Sequence, residues 1–150
     1  MELNNIFDNV RLTKKQKELL TFHFLSLKET YFLKGEKIFK KKAIQLFELI
    51  DQKNVNISTV CDVGAGSGIF IEEMKKIRND ISYFAIEPGD VSSKIISSKG
   101  IPVLQKSVEH SEEWSGKFDF VVSLEVLEHV NRPIDFVKAL NNLLKEDGYC

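Results

Sequence analysis

Apolar residues along this chain follow two different periods. Up to about residue 50 they recur at helical spacing. The run TKKQKELLTFHFLSLKETYF carries Leu19, Leu20, Phe22, Phe24 and Leu27, with Thr13 placed as its N-cap. A second run, EKIFKKKAIQLFELI, sets Ile38, Phe39, Ala43, Leu46, Phe47 and Ile50 near a 3.6-residue repeat, and Gly35 punctuates the two. From residue 58 onward, short unbroken apolar runs alternate with amphipathic ones. TVCDV, ISYFAIE, IPVLQ and KFDFVVSLE read as strands. GIFIEEMKKIR, VSSKIISSKG and PIDFVKALNNLLKEDG read as helices, the last with Pro133 in its first turn and Gly148 as its stop. Continuous apolar strands suit a parallel sheet covered on both faces. Their alternation with helices predicts an α/β, doubly wound, mostly parallel sheet preceded by helices. The terminal GYC reads as a fifth strand just begun, so the pattern predicts a sheet that continues past residue 150, with the fourth strand left as an exposed edge.

Composition narrows the class. A chain of 150 residues has room for one domain. Charges interrupt every apolar run before it reaches bilayer length. The start, MELNNIFDNVRLTKKQ, lacks the basic-then-apolar order of a signal peptide. Cys61 falls inside a strand pattern and Cys150 at the last position, a spacing that fits neither a disulfide framework nor a zinc site. These features predict a reduced, cytoplasmic protein. The net charge of −1 hides an asymmetry: residues 11–42 hold ten Lys/Arg against three Asp/Glu. Such a segment either steers an anionic partner or forms the solvated face of surface helices.

The stretch VCDVGAGSGIF carries the chemistry. It leaves a strand and enters a helix, the context a glycine motif needs. Gly64, Gly66 and Gly68 form G-x-G-x-G, and Ile69 stands where the dinucleotide fingerprint requires a small residue. Asp62, just before the loop, would repel a pyrophosphate and attract an ammonium. A ligand with an α-amino acid end therefore fits better: its ammonium meets Asp62, and its carboxylate meets N–H groups at the helix start near Gly68. S-adenosylmethionine has that end and a cationic sulfonium. Nineteen residues after Gly68, Glu87 closes the second strand, where a carboxylate accepts from both ribose hydroxyls.

These residues make the chain from about 55 to 150 resemble the class I S-adenosylmethionine-dependent methyltransferases. VCDVGAGSG is similar to their first motif, AIEPG to their acidic strand end, and FDFVVSLEVLEHVNRP to their fourth strand and its loop. The last segment resembles an EVLEHV-type subgroup rich in small-molecule O- and C-methyltransferases. The resemblance implies a Rossmann-like domain over 55–150, incomplete at its C-terminus, with strand order 3-2-1-4 in the part present. It implies an N-terminal helical cap over 1–54, in the place of the variable helices that often cover the substrate. It also implies that Asp62, Gly64, Ala65, Gly66, Gly68, Glu87, Pro88, Val108, Glu109, Leu124 and Glu125 hold the cofactor, with Ser107, Val108 and Glu109 bordering the adenine. The implied activity is methyl transfer to a small-molecule acceptor; a nucleic-acid substrate is not favoured. An inactive cofactor-binding module and a metal-dependent RNA-ribose or quinone-type O-methyltransferase stand as alternatives.

Glu125, Glu128 and His129 lie at i, i+3 and i+4, which on a helical turn share one face. Three readings compete. Glu125 borders the methyl-donor end of the cofactor; His129 acts as a general base on a substrate hydroxyl; or the trio binds a divalent cation, as in RNA-modifying enzymes with a similar trio. This chain has no histidine after His129 to complete that last set. Elsewhere, His23 reads as a packed helix residue and His110 as a surface residue. Trp114 either caps the adenine or anchors its loop. Phe7, Phe22, Phe24, Tyr31 and Phe32 form either an apolar lid or core packing between helices.

Overall fold

The computed structural model describes residues 36–150. The helix expected over residues 13–32, its Thr13 cap, the Gly35 break and the residues His23, Phe7, Phe22, Phe24, Tyr31 and Phe32 lie outside the described residues.

Helix α1 is described over residues 36–52. Strand β1 (Thr59–Val63), α2 (Ile69–Ile77), β2 (Ser82–Ile86), α3 (Asp90–Ser98) and β3 (Val103–Leu104) follow. Two single 3₁₀ turns lead to β4 (Phe118–Val122), and a third leads to α4 (Pro133–Leu143) and β5 (Leu144–Tyr149). The strands form one parallel sheet in the order β3-β2-β1-β4-β5. This is the doubly wound arrangement that the alternation predicts, in the Rossmann-like order that the resemblance implies. The register sets Val63 beside Ile86, and Asp62 beside both Ala85 and Val122, so three central strands end level with one another.

Each face of the sheet buries its own core. On one side, Ala43, Phe47 and Ile50 of α1 pack with Phe70, Ile71 and Met74 of α2, Ile96 of α3, and Val60, Tyr83 and Ala85 of the strands. Ile38, expected on that stripe, is 54% exposed. On the other side, Phe136, Ala139, Leu140 and Leu143 of α4 pack with Cys61, Val63, Ile86, Phe118 and Val121. The strand residues of the two cores alternate along β1, as a strand covered on both faces requires. The chain divides into a unit Met1–Ile38 and a unit Phe39–Cys150, and all five strands belong to the second. Among the described residues, no helix is long and apolar enough to cross a membrane.

The C-terminal end differs from the sequence expectation. The helix expected to run to Gly148 stops at Leu143, and β5 begins at once. The reason is tertiary. The carbonyls of Asn142 and Leu143 accept from Gly116 N and Lys117 N at 2.9 and 3.0 Å, which draws the chain off the helix and alongside β4. A Cβ on Gly148 would stand 2.9 Å from the Phe118 carbonyl oxygen, so this glycine serves a close approach of strands. The fourth strand is accordingly not an edge: β5 covers it.

Asp119 fastens this side of the sheet. Its Oδ2 accepts from Ser58 N (3.0 Å), Ser58 Oγ (2.8 Å), Thr59 N (2.9 Å) and Thr59 Oγ1 (2.8 Å), and its Oδ1 meets Lys145 Nζ at 2.7 Å. Burial pushes the carboxyl up, but the Lys145 ammonium and the Ser58 and Thr59 donors outweigh it and hold it well below the usual carboxylate range. A lowered folded value stabilises the fold above about pH 4, and that contribution is lost as pH falls toward the lowered value. Asp119→Ala is expected to cost about 2–3 kcal/mol in urea unfolding at pH 7. A loss under about 0.5 kcal/mol, the range of an ordinary surface change, would mean that the tie is decorative.

Candidate functional site

The site grows from the C-terminal ends of β1, β2 and β4. The chain must leave β1 and enter α2 within five residues, and it does so on three left-handed glycines: Gly64 (φ 77°), Gly66 (φ 54°) and Gly68 (φ 77°). Gly64 N donates to the Ile86 carbonyl oxygen at 2.8 Å, and Gly68 N closes the turn onto the Ala65 carbonyl oxygen at 2.8 Å. The three positions have different neighbours. A Cβ on Gly64 would collide with Val126 Cγ2, and one on Gly68 would sit 3.2 Å from Ile96 Cγ1. A Cβ on Gly66 would meet nothing within 4 Å. Protein packing thus explains two of the glycines, and the third faces open space.

Glu87, one residue past β2, reaches back to this loop. Its Oε2 accepts from Gly66 N and its Oε1 from Gly89 N, each at 2.8 Å. A Cβ on Gly89 would lie 2.8 Å from Glu87 Oε1, so a side chain there would push the end of the carboxylate aside. A carboxylate offers about four acceptor positions, so roughly two on Glu87 remain for a ligand.

Glu87 borders a cleft of about 760 Å³. Val63, Gly64 and Ile86 line it at the strand ends; Pro88, Ser107, Val108 and Glu109 line it from the β2 and β3 loops; Val126, Val130 and Phe136 line it from the β4 loop and α4. Glu125, His129, Arg132, Asp135 and His110 add polar groups. Of the sequence candidates, the cleft thus gathers Gly64, Glu87, Pro88, Ser107, Val108, Glu109, Glu125 and His129. Asp62, Ala65, Gly66, Gly68, Leu124 and Glu128 are not among its lining residues. Ala65 and Leu124 instead pack against the core on the α1 side.

Asp62 lies one residue before the lip. Strand alternation places it with Val60, opposite Val63, and only 3% of it is exposed. Burial, then the charge of Glu87, pushes its pKa up to about 7.

The segment after β4 differs from the expected helical turn. The 3₁₀ turn covers only Leu127–His129, and Glu125 stands outside it in the left-handed region at φ 57°. Glu125 and Glu128 therefore do not share the face of one α-helical turn. Glu125 is also engaged: Lys42 Nζ of α1 meets its Oε1 at 2.6 Å, and that contact is the main cause lowering its carboxyl. Among the described residues, no group of three or more His, Cys, Asp or Glu side chains is arranged to hold a metal ion.

Two further expectations resolve. Trp114 packs edge-on against Phe84 and Phe118, at 5.6 Å from each, and is absent from the cleft, so it anchors its loop. His110, read as a surface residue, is exposed and also lines the cleft. Sequence reasoning missed Val126, Val130, Arg132, Asp135 and Phe136. The apolar spacing of Val126 and Val130 was a signal available beside the more conspicuous Glu125 and His129.

Residues 30–150 match the family model described as a methyltransferase domain. Over 95 residues the chain is 35% identical to a ubiquinone biosynthesis O-methyltransferase of Proteus mirabilis, covering 60% of this chain and 39% of that protein. It thus spans about two fifths of the length of such curated relatives. Among solved structures, a SAM-dependent methyltransferase from Thermotoga maritima superposes with a TM-score of 0.62 at 22% identity, over 84% of this chain and 56% of that one. The plantazolicin methyltransferase BamL, solved with S-adenosylhomocysteine, gives a TM-score of 0.62 at 20% identity, over 87% of this chain and 48% of that one. The two structures share the fold.

Proposed function

This chain belongs to the methyltransferase-domain family, and we propose that it binds S-adenosylmethionine and transfers the methyl group to a small-molecule acceptor. The observation that carries the reading is Glu87. It is fixed by two backbone donors beside the glycine loop, with acceptor capacity left over at the edge of the cleft. A ribose diol supplies two donors and matches that capacity.

The other residues take roles consistent with their places. Pro88, Val108, Val126, Val130 and Phe136 offer apolar surface to an adenine ring, with Glu109 and Ser107 at its edge. Asp62, once ionised, attracts the ammonium of the amino-acid end, and the first turn of α2 offers unpaired N–H groups to its carboxylate. Gly64, Ala65, Gly66, Gly68 and Leu124 shape the loop and strand end around that contact. When bound, the cofactor supplies a methyl group on a cationic sulfur. The chain's task is to orient that group and keep water out. Glu125 and His129 stand on the cleft, with His129 the candidate to accept a proton from the acceptor. The O-methyltransferase named among the relatives supports an oxygen acceptor on a small molecule. A cytoplasmic location fits a soluble cofactor and a thiol, Cys61, that is buried and free.

Calorimetric titration with S-adenosylhomocysteine and with NAD tests the cofactor class. The first is expected to bind and the second not, and the reverse order would overturn the assignment. Transfer of radiolabelled methyl from S-adenosylmethionine to a panel of hydroxyl-bearing small molecules then tests the chemistry. Binding without transfer to any such acceptor would leave a cofactor-binding module.

A further inference from the structure

The glycine loop is braced from a helix that the cofactor reading does not use. Lys99, one residue past α3, donates from Nζ to the Ser67 carbonyl oxygen at 2.8 Å and to Glu72 Oε2 at 2.7 Å. Its side chain is 24% exposed. The lysine lies 32 residues downstream of the loop in sequence, so the contact exists only in the folded sheet.

We propose that Lys99 is a positioning residue for the cofactor: it locks the Ser67–Gly68 peptide plane, and with it the loop that receives the amino-acid end of S-adenosylmethionine. The inference rests on the function proposed above. Ser67 sits between two glycines held at φ 54° and 77°. Glycine populates both signs of φ with little steric difference, so the peptides beside it rotate cheaply. In a trans peptide the carbonyl and the following N–H point in opposite directions. Gly68 N is held by the Ala65 carbonyl oxygen on one side, and the Ser67 carbonyl is held by Lys99 on the other. A charge-assisted bond on a half-buried carbonyl is stronger than a neutral one. Ile96 and Ile101, flanking Lys99, also stand nearest to where a Cβ on Gly68 would lie, so the same end of α3 fits the loop by shape. Glu87 fixes Gly66 from the ribose side, and Lys99 fixes Ser67 from behind.

The competing role is a plain staple of α3 to α2 through Glu72. Two ligands and three variants separate the roles. S-adenosylhomocysteine has the amino-acid end, and 5′-methylthioadenosine lacks it. By calorimetry, Lys99→Met is expected to weaken S-adenosylhomocysteine about tenfold, the scale of one lost bond to a charged group, with methylthioadenosine within about twofold. Lys99→Arg, which still donates to the carbonyl, is expected to recover most of the loss. Glu72→Gln removes the ion pair but leaves the Ser67 bond, and is expected to lower the melting temperature with S-adenosylhomocysteine affinity kept. If Lys99→Met fails to fold, Lys99→Ala, which also lacks the donor, carries the comparison against Glu72→Gln. Unchanged S-adenosylhomocysteine affinity in Lys99→Met, equal losses for both ligands, or the same affinity loss in Glu72→Gln would each overturn the proposal. Failure of the unaltered chain to bind either ligand would count against the cofactor reading itself.

Discussion

Glu87→Ala is expected to weaken S-adenosylhomocysteine binding about a hundredfold while the chain stays folded. The estimate follows from what one side chain holds. Two hydrogen bonds from a ribose diol to a charged acceptor contribute about 3 kcal/mol together, or two decades in affinity. The substitution also releases Gly66 N and Gly89 N, both held at 2.8 Å, so the loop loses its fixed shape on the ribose side. Gly89 is exposed and its amide finds water, which limits the cost to folding. Glu87→Gln keeps one carbonyl oxygen for Gly66 N but turns the other acceptor into a donor, and is expected to fall between the two. Circular dichroism checks the fold and calorimetry reads the affinity. Binding within twofold of the unaltered chain would remove Glu87 from the site.

The same residue shows why part of this site was legible in the sequence. A carboxylate at the end of the second strand, after a glycine loop at the end of the first, is a local pattern, and a parallel sheet brings adjacent strand ends together. The register confirms it, with Val63 beside Ile86. Strand positions were legible for the same reason: each is a short apolar run buried on both faces. The start of β5 was not. Leu140, Leu143 and Leu144 continue a helical stripe, and the bonds from Gly116 and Lys117 that end the helix come from a distant loop. The conformation of Glu125 was also hidden, because Glu-Val-Leu-Glu-His has ordinary helical preference and no glycine marks the left-handed position. Lys42 on Glu125 and Lys99 on Ser67 lie beyond any local window, at separations of 83 and 32 residues. Asp62 was legible as a residue, but its protonation was not, since that depends on its burial beside Glu87.

That protonation yields the second large effect. S-adenosylhomocysteine affinity is expected to rise about a hundredfold between pH 5 and pH 8. In the ligand-free chain, burial and then the Glu87 charge raise the Asp62 carboxyl to about 7, so below that pH it is mostly neutral. The ligand's ammonium favours the ionised form, and binding below pH 7 must therefore expel a proton. Each pH unit below the free value costs about a factor of ten, a unit of pKa being worth about 1.4 kcal/mol. The sign for stability is opposite. A folded value raised above the unfolded one, about 3.9, means that the folded chain holds the extra proton between pH 4 and 7. This group's contribution is full below about pH 4, is lost as pH rises through 7, and leaves the ligand-free chain weakest above it. Calorimetry in buffers of different ionisation enthalpy should detect about one proton released per ligand at pH 6. Asp62→Asn, neutral at every pH, should bind weakly with no pH slope, and should melt higher than the unaltered chain at pH 8 without ligand. The buried neighbour Cys61, whose thiol is raised by burial and by the Asp62 charge, stays protonated throughout and does not confuse the titration. A flat affinity profile from pH 5 to 8 in the unaltered chain would show that Asp62 does not meet the ammonium.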